Sequence, residues 1–207
     1  MANYTRLDES TGELIPVVKY LSGSPKQYRF DGQQGIFKLG ENPILNSRNK
    51  FVTTFSFIPI AYRFFEENLF GRNKKELWVE LFFVDEQDAV SSIMFNNTSA
   101  QALKKLFGEL YYEDLDLTDV HLHISTVERY NSAGQTWQMA VFEYDVADAE
   151  EVRELRDLDY LIKVHRTDTL TDTCIFQIVR GAFFEHHLKV IESKKIEEVV
   201  QEPIWQN

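Results

Sequence analysis

Side chains able to do chemistry are thinly spread along these 207 residues. His121 and His123 stand two apart, and on a strand they would share a face with Asp119. Two imidazoles at that spacing can ligate a metal. A structural zinc site wants four ligands, however, and neither a cysteine pair nor a third histidine stands nearby, so solvated histidines on a polar face are the expected state. His186 and His187 are adjacent and would point apart on a helix. Cys174, the sole cysteine, lies beside Ile175 in an apolar stretch, where a buried thiol is ordinarily inert. A nucleophile would need a base and an orienting group, and acid–base work would need two carboxylates in contrasting environments; the sequence displays neither. Gly35 and Gly40 lack the Gly-Lys-Ser/Thr that completes a phosphate loop. The expectation is a protein that is not an enzyme and carries no cofactor and no metal.

Cations interleaved with aromatics offer a second kind of chemistry. The formal net charge is -11, yet residues 26–75 hold nine Lys or Arg against four Asp or Glu, while the remainder of the chain is acidic. Sign asymmetry of this kind hints at a basic surface joined to acidic regions. Lys26, Arg29 and Lys38 alternate with Tyr28, Phe30 and Phe37, and a second basic group is Arg63, Arg72, Lys74 and Lys75. Trp78, Phe82 and Tyr130 could supply flat rings. A single strand of nucleic acid wants both, charge for its phosphates and stacking platforms for its bases.

Periodicity says how these residues are positioned. Leu77, Val79, Leu81 and Phe83 alternate with Trp78, Glu80 and Phe82, which predicts a strand over Glu76–Asp85, and Val90–Phe95 resumes the pattern after a polar turn. Thr98 and Gln101 match a capping box ahead of a helix that buries Leu103, Leu106, Phe107 and Leu110. Strands are expected from Val120 and over Thr136–Tyr144, and a long one over Phe51–Tyr62, bent at Pro59. Arg63–Lys75 would be the loop that follows it. Before this block, residues 1–12 are expected to be loose and Leu14–Leu21 to form an edge strand. Lys26–Phe30 and Gly35–Leu39 should form a hairpin turned by Asp31-Gly32. After it come a helix over Ala147–Leu158, strands over Asp159–His165 and Thr173–Arg180, a helix over Phe183–Val200, and a tail ending in Pro203, Ile204 and Trp205.

The fold class predicted is therefore mostly β with some α. Residues 1–50 form an N-terminal extension with a hairpin, 51–145 a five-stranded barrel with one helix after its third strand, and 146–207 an α/β extension. By element order the 51–145 block resembles the OB-fold single-stranded DNA-binding proteins, including acidic ones of phages and mobile elements. That resemblance implies single-stranded DNA as partner and an acidic C-terminal tail that recruits a protein. Glu197, Glu198 and Glu202 before Trp205 match such a tail only loosely, since Gln206 and Asn207 follow the aromatic.

Two functions follow as expectations. The first is non-enzymatic binding of single-stranded DNA, with Lys26, Arg29, Lys38, Arg63, Arg72, Lys74 and Lys75 on phosphates and Trp78, Phe82 and Tyr130 stacked on bases. The alternative is a structural or adaptor protein making protein contacts in a phage particle or multiprotein complex, as a homo-oligomer or through its C-terminal segment; it requires Trp78 and Phe82 to be buried. One cysteine and the lack of a leader or a long apolar run point to the cytoplasm, with no membrane partner.

Overall fold

Alternating side chains covered on both sides set the architecture. A computed structural model describes residues 4–190 and is mostly β. Seven strands form one open sheet in the spatial order β12, β7, β8, β9, β3, β4, β5, where β3 is Lys26–Asp31, β4 Ile36–Leu39, β5 Asn42–Pro43, β7 Ala61–Glu67, β8 Glu76–Val84, β9 Val90–Asn96 and β12 Ile175–Arg180. Neighbours are antiparallel except β3 and β9, which run parallel. A second sheet orders β11 (Thr136–Val146), β10 (Val120–Tyr130) and β6 (Phe55–Phe57), and a small ribbon pairs β1 (Thr5–Leu7) with β2 (Leu14–Pro16). Helices are α1 (Asn97–Tyr112), α2 (Ala149–Ile162) and α3 (182–190).

The large sheet separates two packed layers. Tyr62, Phe64, Val79, Leu81, Phe83, Ile93 and Phe95 face Leu103, Leu106 and Leu110 of α1 and Leu122, Ile124 and Ala140 of the small sheet. From the opposite face Ala61 and Phe82 meet Leu155 and Leu158 of α2, Val164, and Phe184 of α3, while Phe65 and Trp78 meet Cys174 and Phe176. Strands covered on both faces have no side free for a polar row, which is why β7 reads Ala-Tyr-Arg-Phe-Phe rather than as a clean alternation.

The expected five-stranded barrel is replaced by two open sheets. β8 and β9 belong to one and β10 and β11 to the other, and the extensions at either end supply β3, β4, β5 and β12. Boundaries near residues 50 and 145 therefore do not delimit separate sheets. The long strand expected over Phe51–Tyr62 breaks around Pro59: β6 joins the small sheet and β7 the large one, so the bend is a change of sheet. Arg63 to Glu67, expected in a loop, belong to β7.

Smaller expectations also shift. The Thr98/Gln101 capping box does not form, because the helix starts two residues earlier with Asn96 as an N-cap that makes no side-chain bond, and Ser99 Oγ accepts from the Ala140 N–H at 3.0 Å. The first hairpin exists, but its loop spans residues 32–35 and the positive φ of 69° falls on Gly35, with Asp31 Oδ1 accepting from the N–H groups of Gln33 and Gln34. Residues 5–7 are paired rather than loose. Asp159 to Ile162, expected in a strand, continue α2, which buries Val152, Leu155, Leu158 and Asp159 at helical spacing and ends at Lys163 with φ 48°. The C-terminal helix is seen over 182–190; its expected continuation and the Trp205 tail lie outside the described residues.

Candidate functional site

The aromatics expected to stack on bases are largely sealed. Trp78 is 5% exposed and donates its indole N–H to the Glu67 carbonyl at 3.1 Å, and Phe82 is 0% exposed against Phe184. Tyr130 alone of the three stands in solvent, at the far end of β10. Burial has a simple cause: Trp78, Glu80 and Phe82 lie on the face that the segment after α2 covers.

The cations meet a similar fate. Arg63 is fully buried, its Nε donating to Glu80 Oε2 at 2.9 Å and an Nη to the Thr169 carbonyl at 2.7 Å, with the guanidinium 4.0 Å from the Phe65 ring centroid. Arg166 approaches the other Glu80 oxygen at 3.4 Å and forks onto Asp168. Burial on its own would raise the Asp168 carboxyl, but the Arg166 bonds outweigh it and hold the group below its usual range. Lys26 pairs with Asp85, Arg29 with Glu41, Lys38 with Asp31, and Arg72 with Glu76. Lys75 donates to the Thr173 carbonyl. Lys74 is exposed, with no ion pair among the described residues. Five cations of the basic stretch are thus paired in space, Lys26, Arg63 and Arg72 by Asp85, Glu80 and Glu76 of the acidic remainder and Arg29 and Lys38 by Glu41 and Asp31 within the stretch.

What the fold does create is a groove of about 740 Å³. Its floor is apolar, formed by Leu39, Ile44, Val52, Phe55, Phe57 and Phe83. One wall is the run 54–58 carrying β6; the other is the 44–47 loop together with the β8–β9 turn at Asp85, Glu86 and Gln87. Tyr4, His121 and Glu151 close the rim. Such a volume lies in the range of ligand and peptide sites.

Asp85 organises the turn side of that groove. Its Oδ2 accepts from Lys26 at 2.5 Å, Tyr28 at 3.0 Å and Ser91 at 3.2 Å, and its Oδ1 from the N–H groups of Gln87 and Ala89. Desolvation alone would raise this carboxyl; the bonds from Lys26 and the two backbone donors win and hold it below the usual range. Tyr28 is pushed well above an ordinary phenol, chiefly by burial and then by the Asp85 charge. At the rim Tyr4 donates to Glu151 at 2.9 Å, tying the N-terminal ribbon to α2, while Glu86 is exposed and makes no ion pair among the described residues.

Ser56, His123 and Asp145 form a hydrogen-bonded row beside the groove: Ser56 Oγ lies 3.0 Å from His123 Nδ1, and His123 Nε2 lies 3.0 Å from Asp145 Oδ2. These are the residue types of a hydrolytic triad. The Asp145 side chain is 83% exposed, though, so water competes for it, whereas a working triad buries its carboxylate and adds donors aimed at an oxyanion. The row follows from the register, which sets Ser56 opposite His123 on the outer face of the small sheet. His121 and His123 do share that face, with ring centroids 4.8 Å apart; Asp119 instead pairs with Arg156. Among the described residues no three His, Cys, Asp or Glu side chains converge on a metal position. Burial pushes the Cys174 thiol up to about 11, which makes it a poor nucleophile at neutral pH.

The groove could not be read from periodicity, since its lining comes from six separate stretches of the chain. One signal was present: Ile44 and Leu45, between the first hairpin and the strand expected from Phe51, are more apolar than a solvated connection needs. Compared with known proteins, the chain matches no family model, no curated protein and no solved structure. Among the described residues no helix is long and apolar enough to cross a membrane.

Proposed function

We propose that this chain is a non-catalytic adaptor or structural protein that docks a segment of a partner protein in the groove between β6 and the β8–β9 turn. One observation carries the reading: an open cleft of about 740 Å³ with an apolar floor, whose rim keeps an acidic balance at Glu86 and Glu151 once Asp85 has paired with Lys26. An apolar floor takes side chains from a partner, and an acidic rim repels phosphate. The nucleic acid alternative loses Arg63, Trp78 and Phe82 as surface groups, and five of its remaining cations are drawn away, four into ion pairs and Lys75 onto a carbonyl.

A display library of random peptides panned on the protein tests this, with Thr54→Trp as the blocked control because Thr54 is exposed and lines the wall. Sequences should enrich on the native protein and not on the variant. A labelled oligo-dT titrated at low salt should show no salt-sensitive binding. Equal enrichment on both proteins, or tight oligonucleotide binding that weakens as salt rises, would overturn the proposal.

A further inference from the structure

Resting on that docking reading, we infer that the partner segment binds as an added β-strand along the free edge of β6, and that it alternates apolar with basic residues. Strand polarity supplies the first half. The Ala147 N–H donates to the Asp119 carbonyl at 3.0 Å, so odd-numbered residues of β10 and β11 exchange the ladder bonds between those strands. Even residues of β10 therefore turn their backbone groups the other way, Leu122 toward Phe57 and Ile124 toward Phe55. Ser56 stands between them and turns its own N–H and C=O outward, where no backbone partner meets the N–H among the described residues. Residues 54–58 line the groove along this edge, which matches an extended segment of about five residues at roughly 3.4 Å each.

Unpaired strand edges are templates for pairing, and proteins ordinarily blunt or cover them. The outer edge of β11 is tucked against other groups, with Ala140 bonded to Ser99 and Gln138 to Gly32. The edge at Ser56 instead borders an apolar hollow. Side chains of an added strand would point alternately to the floor of Val52, Phe55 and Phe57 and to the rim. Charge decides what the rim prefers: Lys26 and Asp85 neutralise each other, which leaves Glu86 and Glu151 as the charges there. A basic residue beside an apolar one complements this lining, and an acidic segment does not.

Fluorescence anisotropy of a labelled decapeptide of alternating Lys and Val tests the inference, alongside a Glu-Val twin and a Lys-Val copy N-methylated at alternate residues. The Lys-Val peptide should bind saturably, and the Glu-Val twin should not. N-methylation should weaken binding at least about tenfold, since it removes the donors of a ladder and each bond is worth a few-fold. Ser56→Pro, tolerated on an edge whose N–H faces outward, should weaken it as well, and Glu86→Lys should lower affinity without altering the circular dichroism spectrum. Binding indifferent to N-methylation and to Ser56→Pro would overturn strand addition, and tighter binding of the Glu-Val twin would overturn the basic preference. In both cases peptides enriched by display and lost in Thr54→Trp would leave the docking function standing. Failure of the Lys-Val peptide to bind would overturn this inference, whereas failure of the display would overturn the docking function.

Discussion

On one face of the seven-stranded sheet, Leu81, Phe83 and Ile93 meet leucines of α1 and the rings of β6; on the other, Arg63 and Glu80 lie at the centre of a covered layer with Arg166 and Thr169. Both layers exclude water, by different means. The apolar one gains from any well-shaped hydrocarbon and tolerates substitution of similar volume. Its polar counterpart is held by specific partners, and desolvation of three charged groups consumes much of their attraction. A fit of that kind fixes register: only one placement of the 163–174 segment brings Arg166 and Thr169 onto the two oxygens of Glu80. Sealing by a charged cluster is thus specific where sealing by hydrocarbon is strong.

Breaking the polar layer should have the largest effect. Glu80→Ala leaves Arg63 and Arg166 facing each other without their shared carboxylate and should cost about 4 kcal/mol in urea unfolding. Replacing Arg63, Glu80 and Arg166 together by Met, Leu and Met should recover most of that loss, which a single substitution of any one should not. On the apolar face Leu81→Ala should cost about 3 kcal/mol with no such rescue, the usual price of a cavity in a sealed core. If Glu80→Ala proved no worse than a surface substitution, the charged cluster would not be sealing its layer.

The next effect depends on pH. Asp159 lies in the covered layer and accepts from the Ala182 N–H at 2.7 Å, at the start of α3. Desolvation raises its carboxyl to about 6, only partly opposed by that bond. Between roughly pH 4 and 6 the folded chain holds a proton that the unfolded chain has released, so this group's contribution to stability falls as pH rises through that window. Asp159→Asn should therefore stabilise the protein by about 2 kcal/mol at pH 7.5 and by nothing near pH 4, read as the difference between two urea series. An equal effect at both pH values would mean that the side chain is not titrating in the folded state.

The smallest effect is spectroscopic. With Trp137 and Trp205 replaced by Phe, acrylamide should barely quench Trp78 in the folded protein, and Glu80→Ala should raise that quenching before unfolding begins. Ready quenching in the parent would place the indole at the surface and reopen the stacking role.

Much of the secondary structure was legible, because β8, β9 and the apolar stripe of α1 follow periods of two and of 3.6 that depend on local geometry alone. β7 was hidden: Arg63 and Glu67 look like solvated loop residues until Glu80, Thr171 and Thr173 are brought up to them. The end of α2 was mistaken for a strand since Tyr160, Leu161 and Ile162 fit either period over so short a run. Of the site, His121, Tyr28 and Lys26 had drawn attention, the first for metal and the others for nucleic acid. Their common position around one groove depends on contacts such as Lys26 to Asp85 that span 59 positions in the chain.

The order of side chains along the chain determined the strand character of its middle third, the apolar stripe of α1 and the acidic balance, since each is a sum over near neighbours. Which sheet a strand joined, which arginine was buried and which strand edge was left open were decided only when distant segments packed. Burial and pairing depend on what arrives at a face, and a side chain's own identity does not carry that information.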